Sequence, residues 1–488
     1  MSVVGAALVV TTAALLLVPP ALGEWHHAKA DGILRDARQG GTTPTQRDLA
    51  QARDELRAAV AWNRWSPAGW ADLAEVSGQL GNRAFAYGLT STGERIANPS
   101  IAARFDAAQP FLAEAYDAHR ASLELRPRAG AQHERMGRFL AGTEGIRRAV
   151  SPSAVKGPVD ARLGSDRNVR AEALGHFREA IRRDPRNAYY HRSLGLFALD
   201  VADREVAVAA LREALTLRPD FLPVIVDELL ARRVDDEFVR TTMPPNFEVV
   251  LDLARELGAR GKLRAAAIAF EDAVRLAATP AQEVEARLAY GRALLERDDP
   301  AAALEQGRRA LVVAPKEAEV FVLFAAVYDR TNEDADAEMA LTTAVALAEP
   351  GPAALRNRLR GELAALLSRR GQVDRAMAMW RQVLRENPND AWAHLQLGRV
   401  LEQRGDAAGA LHEFRSAYAV AGEDFDLHWA VARALRDGGY LREAVGIYDA
   451  ARRLRPAEGD LGAELGDLYA RIGLTDRAME QYRQVLRR

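Results

Sequence analysis

Hydrophobic positions follow two patterns along the 488-residue chain. From Val3 to Leu22 no charge interrupts them: VVGAALVVTTAALLLVPPAL. At about 1.5 Å per residue, twenty such residues make a helix of roughly 30 Å, the hydrocarbon thickness of a bilayer. Further on the pattern becomes periodic. Ala376, Ala410, Ala444 and Ala478 recur every 34 residues, and four residues after each comes an aromatic: Trp380, Phe414, Tyr448 and Tyr482. Twelve residues before each alanine is a small side chain (Ala364, Gly398, Ala432, Gly466), and three residues beyond it a large one (Leu367, Leu401, Leu435, Tyr469). Five residues before the alanine stands Gly371, Gly405, Gly439 or Gly473, and Pro388 and Pro456 close two of the units. The spacing predicts two helices per unit. Small residues let the helices approach, the aromatic fills the groove between them, glycine supplies the left-handed turn, and proline ends the second helix.

This spacing resembles the tetratricopeptide repeat, a pair of antiparallel helices every 34 residues. Upstream, Ala303 and Ala337 keep the interval, and Ala266, Phe270 and Gly261 mark a unit at 247–280. Ala173 and Ala207 keep it again, with Gly195 and Pro219, and Ala52 and Ala86 repeat it around Trp70, Leu73 and Ala74. The fold class expected is all-α: a right-handed superhelical solenoid of antiparallel helix pairs, preceded by one apolar N-terminal helix. Each pair then buries its apolar stripe on its neighbours rather than around one central core.

The expected organisation runs from an anchor or signal at 1–23 and a juxtamembrane linker at 24–48, with a flexible break at Gly40-Gly41 and Pro44, into degenerate repeats at 49–187. An irregular insertion near 141–168 interrupts these. A repeat at 188–221, an irregular helical insertion at 222–246 and the array at 247–488 follow. Two readings of the N-terminal segment stand. Retained, it is a single-pass anchor in a bacterial inner membrane. Cut after Gly23, behind the Ala21-Leu22-Gly23 signature, it leaves a periplasmic protein. No Lys or Arg precedes the apolar run, whereas Lys29, Arg35 and Arg38 follow it, and by the positive-inside rule this leans the repeats to the cytoplasmic face.

Composition narrows the chemistry. A net charge of −2 argues against nucleic acid as a partner, and the absence of cysteine excludes disulfides, thiolate metal sites and thiol catalysis. No phosphate-binding glycine loop occurs, and His133-Glu134 lacks the second histidine of a zincin helix. His26-His27 has no third ligand nearby in sequence. Asn332-Glu333-Asp334-Ala335-Asp336 lacks the glycine and the terminal glutamate of a calcium loop. Asp235-Asp236 and Asp298-Asp299 read as turns. No catalytic residue, metal or cofactor is expected, and the chain reads as no enzyme.

In the family this resembles, first helices line a concave groove that takes peptides or extended segments. The register places Arg292, Trp392, Arg399, Trp429 and Arg433 on that face, with Arg399 and Arg433 on one wall beside Trp392 or Trp429; arginine and tryptophan are favoured at binding hot spots. The lysines and asparagine of the carboxylate clamp in chaperone-binding members have no counterpart. A protein or peptide in the groove and a membrane at Val3–Leu22 are the partners expected. The layout is similar to bacterial envelope repeat proteins that support lipopolysaccharide or exopolysaccharide assembly. Alternatives are the repeat part of an O-antigen ligase-like or glycosyltransferase system, and a soluble periplasmic adaptor.

Overall fold

A computed structural model of the chain describes residues 3–39, 43–89, 96, 99–149, 158–163, 166–456 and 458–486, with side chains in the first helix from residue 20 to residue 38. The described residues are predominantly helical and divide into two compact units, Met1–Glu256 and Leu257–Arg488. Both units are tetratricopeptide-like stacks of helix pairs.

Unit 2 follows the 34-residue register. Its pairs are Pro280–Glu296 with Pro300–Val313, Ala318–Arg330 with Asp334–Ala348, Ala353–Arg369 with Val373–Glu386, Ala391–Gln403 with Ala407–Val420, Phe425–Asp437 with Leu441–Leu454, and Gly459–Arg471 with Thr475–Leu486. Ala376, Ala410, Ala444 and Ala478 are buried where the two helices of a pair cross. A Cβ on Gly398 would lie 2.5 Å from the Phe414 ring, and one on Gly466 2.6 Å from Tyr482, so the glycines are required by the aromatics that cover them. Gly371, Gly405, Gly439 and Gly473 adopt φ of 72° to 85° at the turn between helices. Asp298 (φ 62°) and Asn332 (φ 60°) occupy the same left-handed slot upstream. The acidic stretch at 332–336 is thus a turn and the start of a helix, as is Asp298-Asp299, where Asp299 caps Pro300–Val313.

Unit 1 builds the same pairs from longer helices. Val3–Gln39 pairs with Gln46–Trp62, Pro67–Tyr87 with Ile101–Leu125, Gly130–Ala149 with Asp166–Arg183, and Ala188–Asp200 with Arg204–Leu217. Ala52, Ala115, Ala173 and Ala207 each lie fully buried ten residues before the end of a second helix. Ala86, expected at that position, is instead exposed near the end of a first helix. Its interval from Ala52 is a coincidence, because the next second helix begins only at Ile101. The stretch at 222–246 is a shortened pair: Leu222–Ala231, a left-handed Arg233 (φ 54°), and Asp236–Thr241 capped by Asp235.

The first helix also departs from expectation. Residues 24–39 continue it and pack on Gln46–Trp62, with Ala30 buried and His26 Nδ1 2.7 Å from Glu55. The next helix is started by a Thr45–Asp48 capping box. Gly40 and Gly41 lie outside the described residues, as do the Val3–Pro19 side chains of the expected membrane segment. No helix among the described residues is long and apolar enough to cross a membrane.

One contact recurs in both units. A ring nitrogen of Trp70, His133, His191 and His394 meets the carbonyl oxygen six residues earlier, at Arg64, Pro127, Pro185 and Pro388, over 2.8 to 3.0 Å. Each ring stands in the first turn of a first helix and latches it to the preceding turn. Trp70 donates there through its indole N–H, and a neutral histidine does so with its proton on Nε2.

Candidate functional site

In unit 2 Pro280–Glu296 lies against Ala318–Arg330, and Ala391–Gln403 against both Ala353–Arg369 and Phe425–Asp437; side-chain bonds link the other neighbouring first helices. One row, at the second residue of each unit in register, reads Glu285, Glu319, Arg358, Trp392, Asp426 and Asp460. Trp392 is its one uncharged member and is 46% exposed. Charges along this face bond between repeats. Arg292 Nη2 lies 2.9 Å from Glu319, which also receives Arg358, and Arg369 Nη2 lies 2.8 Å from Asp329.

Further along, Glu464 gathers a cluster from the preceding repeat. Arg433 Nε donates to both its oxygens, at 2.9 and 3.0 Å, Trp429 Nε1 at 3.0 Å, Arg436 Nη1 at 3.1 Å and Tyr448 Oη at 2.7 Å. The Arg433 guanidinium also stacks 4.0 Å from the Trp429 ring centroid. Burial pushes the Glu464 carboxyl up, but bonds from Arg433, Tyr448 and Trp429 outweigh it and hold the group below its ordinary value. Burial, then the Glu464 bond, raises the Tyr448 phenol. A carboxylate at the centre of such a net is a structural tie. Removing it would leave two guanidiniums facing each other.

The five expected site residues therefore separate into three settings. Trp429 and Arg433 come together and are committed to Glu464. Arg292 is committed to Glu319. Trp392 stays open, while Arg399 is half-buried and its charge acts on Glu402 of the same helix; neither makes a hydrogen bond or ring contact among the described residues. Arg433, expected to share a wall with Arg399, bonds Glu464 of the following repeat. The sequence reading missed Glu464. It lies 35 residues after Trp429 and 31 after Arg433, either side of one repeat length, and that spacing is the signal that could have found it.

Elsewhere, His26 pairs with Glu55, and His27 Nε2 lies 2.7 Å from Asp72. Ligand atoms of His27, Asp31 and Asp72 all lie within 4.8 Å of one another. Asp31 and Asp72 line a cleft of about 440 Å³ together with Arg35, Arg38 and Arg135, whose positive charges oppose a cation there. His133 Nδ1 meets His176 Nδ1 at 2.9 Å, and Glu134 accepts from Ser193 at 2.8 Å, so the His133-Glu134 pair serves packing between helices.

Comparison with known proteins agrees with the architecture. Tetratricopeptide repeat family models match residues 165–220, 251–318 and 356–400, and these segments are tetratricopeptide repeats. No curated protein matches the chain. Among solved structures, yeast Tom70 is similar at 12% identity over 95% of this chain and 91% of its own, with a TM-score of 0.40. PilF of Pseudomonas aeruginosa is 17% identical over 46% of this chain and 97% of its own (TM-score 0.34). MamA of Desulfovibrio magneticus is 20% identical over 35% of this chain and 93% of its own (TM-score 0.29).

Proposed function

We propose that the chain is a non-catalytic, membrane-tethered scaffold in a bacterial envelope assembly, and that it holds an extended partner segment on the first-helix face of unit 2. Tetratricopeptide repeats bind proteins. The single observation that carries the placement is Trp392, a large aromatic left in water in a row of charges, with Arg399 about two helical turns further along the same helix. An indole and a guanidinium together suit a segment carrying apolar and acidic side chains. Polysaccharide or lipopolysaccharide assembly is the setting whose repeat proteins share this layout. In this reading the tether is the apolar run Val3–Leu22, and Lys29, Arg35 and Arg38 behind it favour the cytoplasmic face of the inner membrane for the repeats.

A photo-crosslinking residue at position 392, in the native host, tests the face. The expected result is one dominant protein adduct, weakened about tenfold by Arg399→Glu at unchanged melting temperature, a loss equal to about 1.4 kcal/mol of binding. Val312, 82% exposed on a second helix, is the control position. Equal adducts from 392 and 312 would remove the assignment.

A further inference from the structure

Three of the seven tryptophans stand exposed at one end of unit 1: Trp25 (57%), Trp62 (47%) and Trp65 (69%). Their height relative to the apolar run is set by backbone contact. Gly23 lies against the end of Gln46–Trp62 so closely that a Cβ on it would be 2.6 Å from Asn63 Cβ and 2.9 Å from the Ala59 carbonyl oxygen. The helix that carries Trp62 therefore ends level with the residue after Leu22. Trp25 lies on the same level, three residues or roughly 4.5 Å beyond Leu22 along the first helix. Trp65 sits in the tight turn Asn63–Ser66 that follows.

Arginines accompany these rings. The Arg64 guanidinium lies 5.1 Å from the Trp65 ring centroid, and Lys29 Nζ 5.2 Å from that of Trp25. Ser122 Oγ donates to the Pro67 carbonyl at 2.8 Å, which brings the turn after Ile101–Leu125 to this same end, with Arg126 and Arg128 exposed in it. None of Arg64, Arg126 and Arg128 forms an ion pair among the described residues.

We propose that this end of unit 1 rests on the bilayer surface, with Trp25, Trp62 and Trp65 in the interfacial layer and Arg64, Arg126 and Arg128 on anionic phospholipid headgroups. The proposal rests on the tether reading of Val3–Leu22 and extends it from a stem to a seated domain. Indole rings favour the depth at which a spanning helix leaves the hydrocarbon, and arginines near the surface favour acidic lipid. The occupant is lipid rather than a protein because the three rings share one level, the level at which the apolar run ends. A protein docking here would compete with the bilayer for the same height.

The test uses the full chain in phosphatidylcholine–phosphatidylglycerol vesicles whose acyl chains are brominated either near the headgroup or near the terminal methyl. Flotation of the vesicles reads the tether, and quenching of tryptophan emission reads the seat. The expected result is flotation, with shallow bromine removing roughly 40% of the emission, the share of three rings in seven, and deep bromine far less. Trp25→Phe, Trp62→Phe and Trp65→Phe together should still float and lose the shallow quenching. Arg64→Glu, Arg126→Glu and Arg128→Glu together should reduce it in vesicles with phosphatidylglycerol. Flotation with no more shallow quenching than the triple Phe variant shows overturns the seat and leaves the tether standing; so does a seat that forms only when a second protein is added. Failure to float removes the tether, and the seat with it.

Discussion

At the position where the last four repeats of unit 2 carry Trp380, Phe414, Tyr448 and Tyr482, the two repeats before them carry Gly307 and Leu341, and unit 1 carries Leu56, His119, Phe177 and Leu211. All four residues of unit 1 are buried, so the slot is the same and its occupant differs. Phe177 still lies over a glycine, Gly137, at 2.9 Å from where a Cβ would be. His119 instead packs 5.2 Å from Phe139, its imidazole enclosed where an apolar ring suffices. Longer helices bring more polar groups inside unit 1. Glu144 is buried with Arg170 at 2.6 Å, and Glu134 is held by Arg138 at 2.7 Å. The comparison teaches that the slot need not be filled by an aromatic at this position: at Gly307 the Phe324 ring of the next repeat comes within 2.5 Å of where a Cβ would lie. A polar occupant makes the fold conditional on its protonation state.

The strongest way to break the comparison is to empty the slot. Phe414→Ala should cost unit 2 about 3–5 kcal/mol, read by urea unfolding. The inverse exchange in unit 1, His119→Phe, should change its stability at neutral pH by less than about 1.5 kcal/mol, because volume and burial are nearly kept. A neutral effect of Phe414→Ala would show that the slot does not hold the pair together.

Acid should separate the units next. Burial, then the charges of Arg135, Arg138 and His176, pushes His119 down to about 3; burial, then His133, lowers His176 to about 4, with Glu179 opposing. Both native values lie below the unfolded 6.5, so the unfolded chain binds protons first. Stability from these groups is complete above pH 6.5 and is lost as pH falls towards the native values. At pH 4.5 His119 alone withdraws about 2–3 kcal/mol from unit 1. In unit 2, arginine bonds hold Glu338 and Glu386 below the ordinary carboxylate value, so what they contribute is lost only below about pH 4.5. Hydrogen exchange followed peptide by peptide between pH 7 and 4.5 should therefore accelerate in unit 1 first, and His119→Phe should remove most of that difference. Parallel acceleration in both units would contradict it.

The smallest effect concerns the shared latch. His191→Phe removes one ring-to-carbonyl hydrogen bond and should cost about 1 kcal/mol. His133→Phe should cost more, because His133 also contacts His176, and it should flatten the acid response of unit 1. Thermal melts at pH 7 and 5 distinguish the two; equal losses at both pH values would leave the histidine pair without a role.

These differences also explain what could be read from residues alone. Unit 2 was legible because its turns are short: Ala376, Ala410 and Ala444 keep one interval, and each has its glycine and its ring. In unit 1, long connections after Tyr87 and Ala149 shift Ala115 and Ala173 off that interval, and His119 hides the slot under a polar letter. The latch was invisible because Trp70 and His133 share a hydrogen bond rather than a hydrophobicity. At the candidate face, the register placed Trp429 beside Arg433 correctly on one helix. It could not show that Glu464, a repeat away, claims both, since such a pairing depends on the pitch between repeats.

The charged rungs between first helices have a mechanical consequence. Arg292 with Glu319, Arg369 with Asp329 and Arg433 with Glu464 each join different repeats, and all are partly open to water. Buried alanines and rings set the resting distance between repeats, and the rungs add stiffness between first helices, as Arg375 with Glu338 and Arg415 with Glu443 do between second helices. At physiological salt such charges are screened over about 8 Å, and more steeply as salt rises. The charged links of unit 2 thus weaken as ionic strength rises, so its stiffness is set by the surrounding electrolyte as well as by its own core.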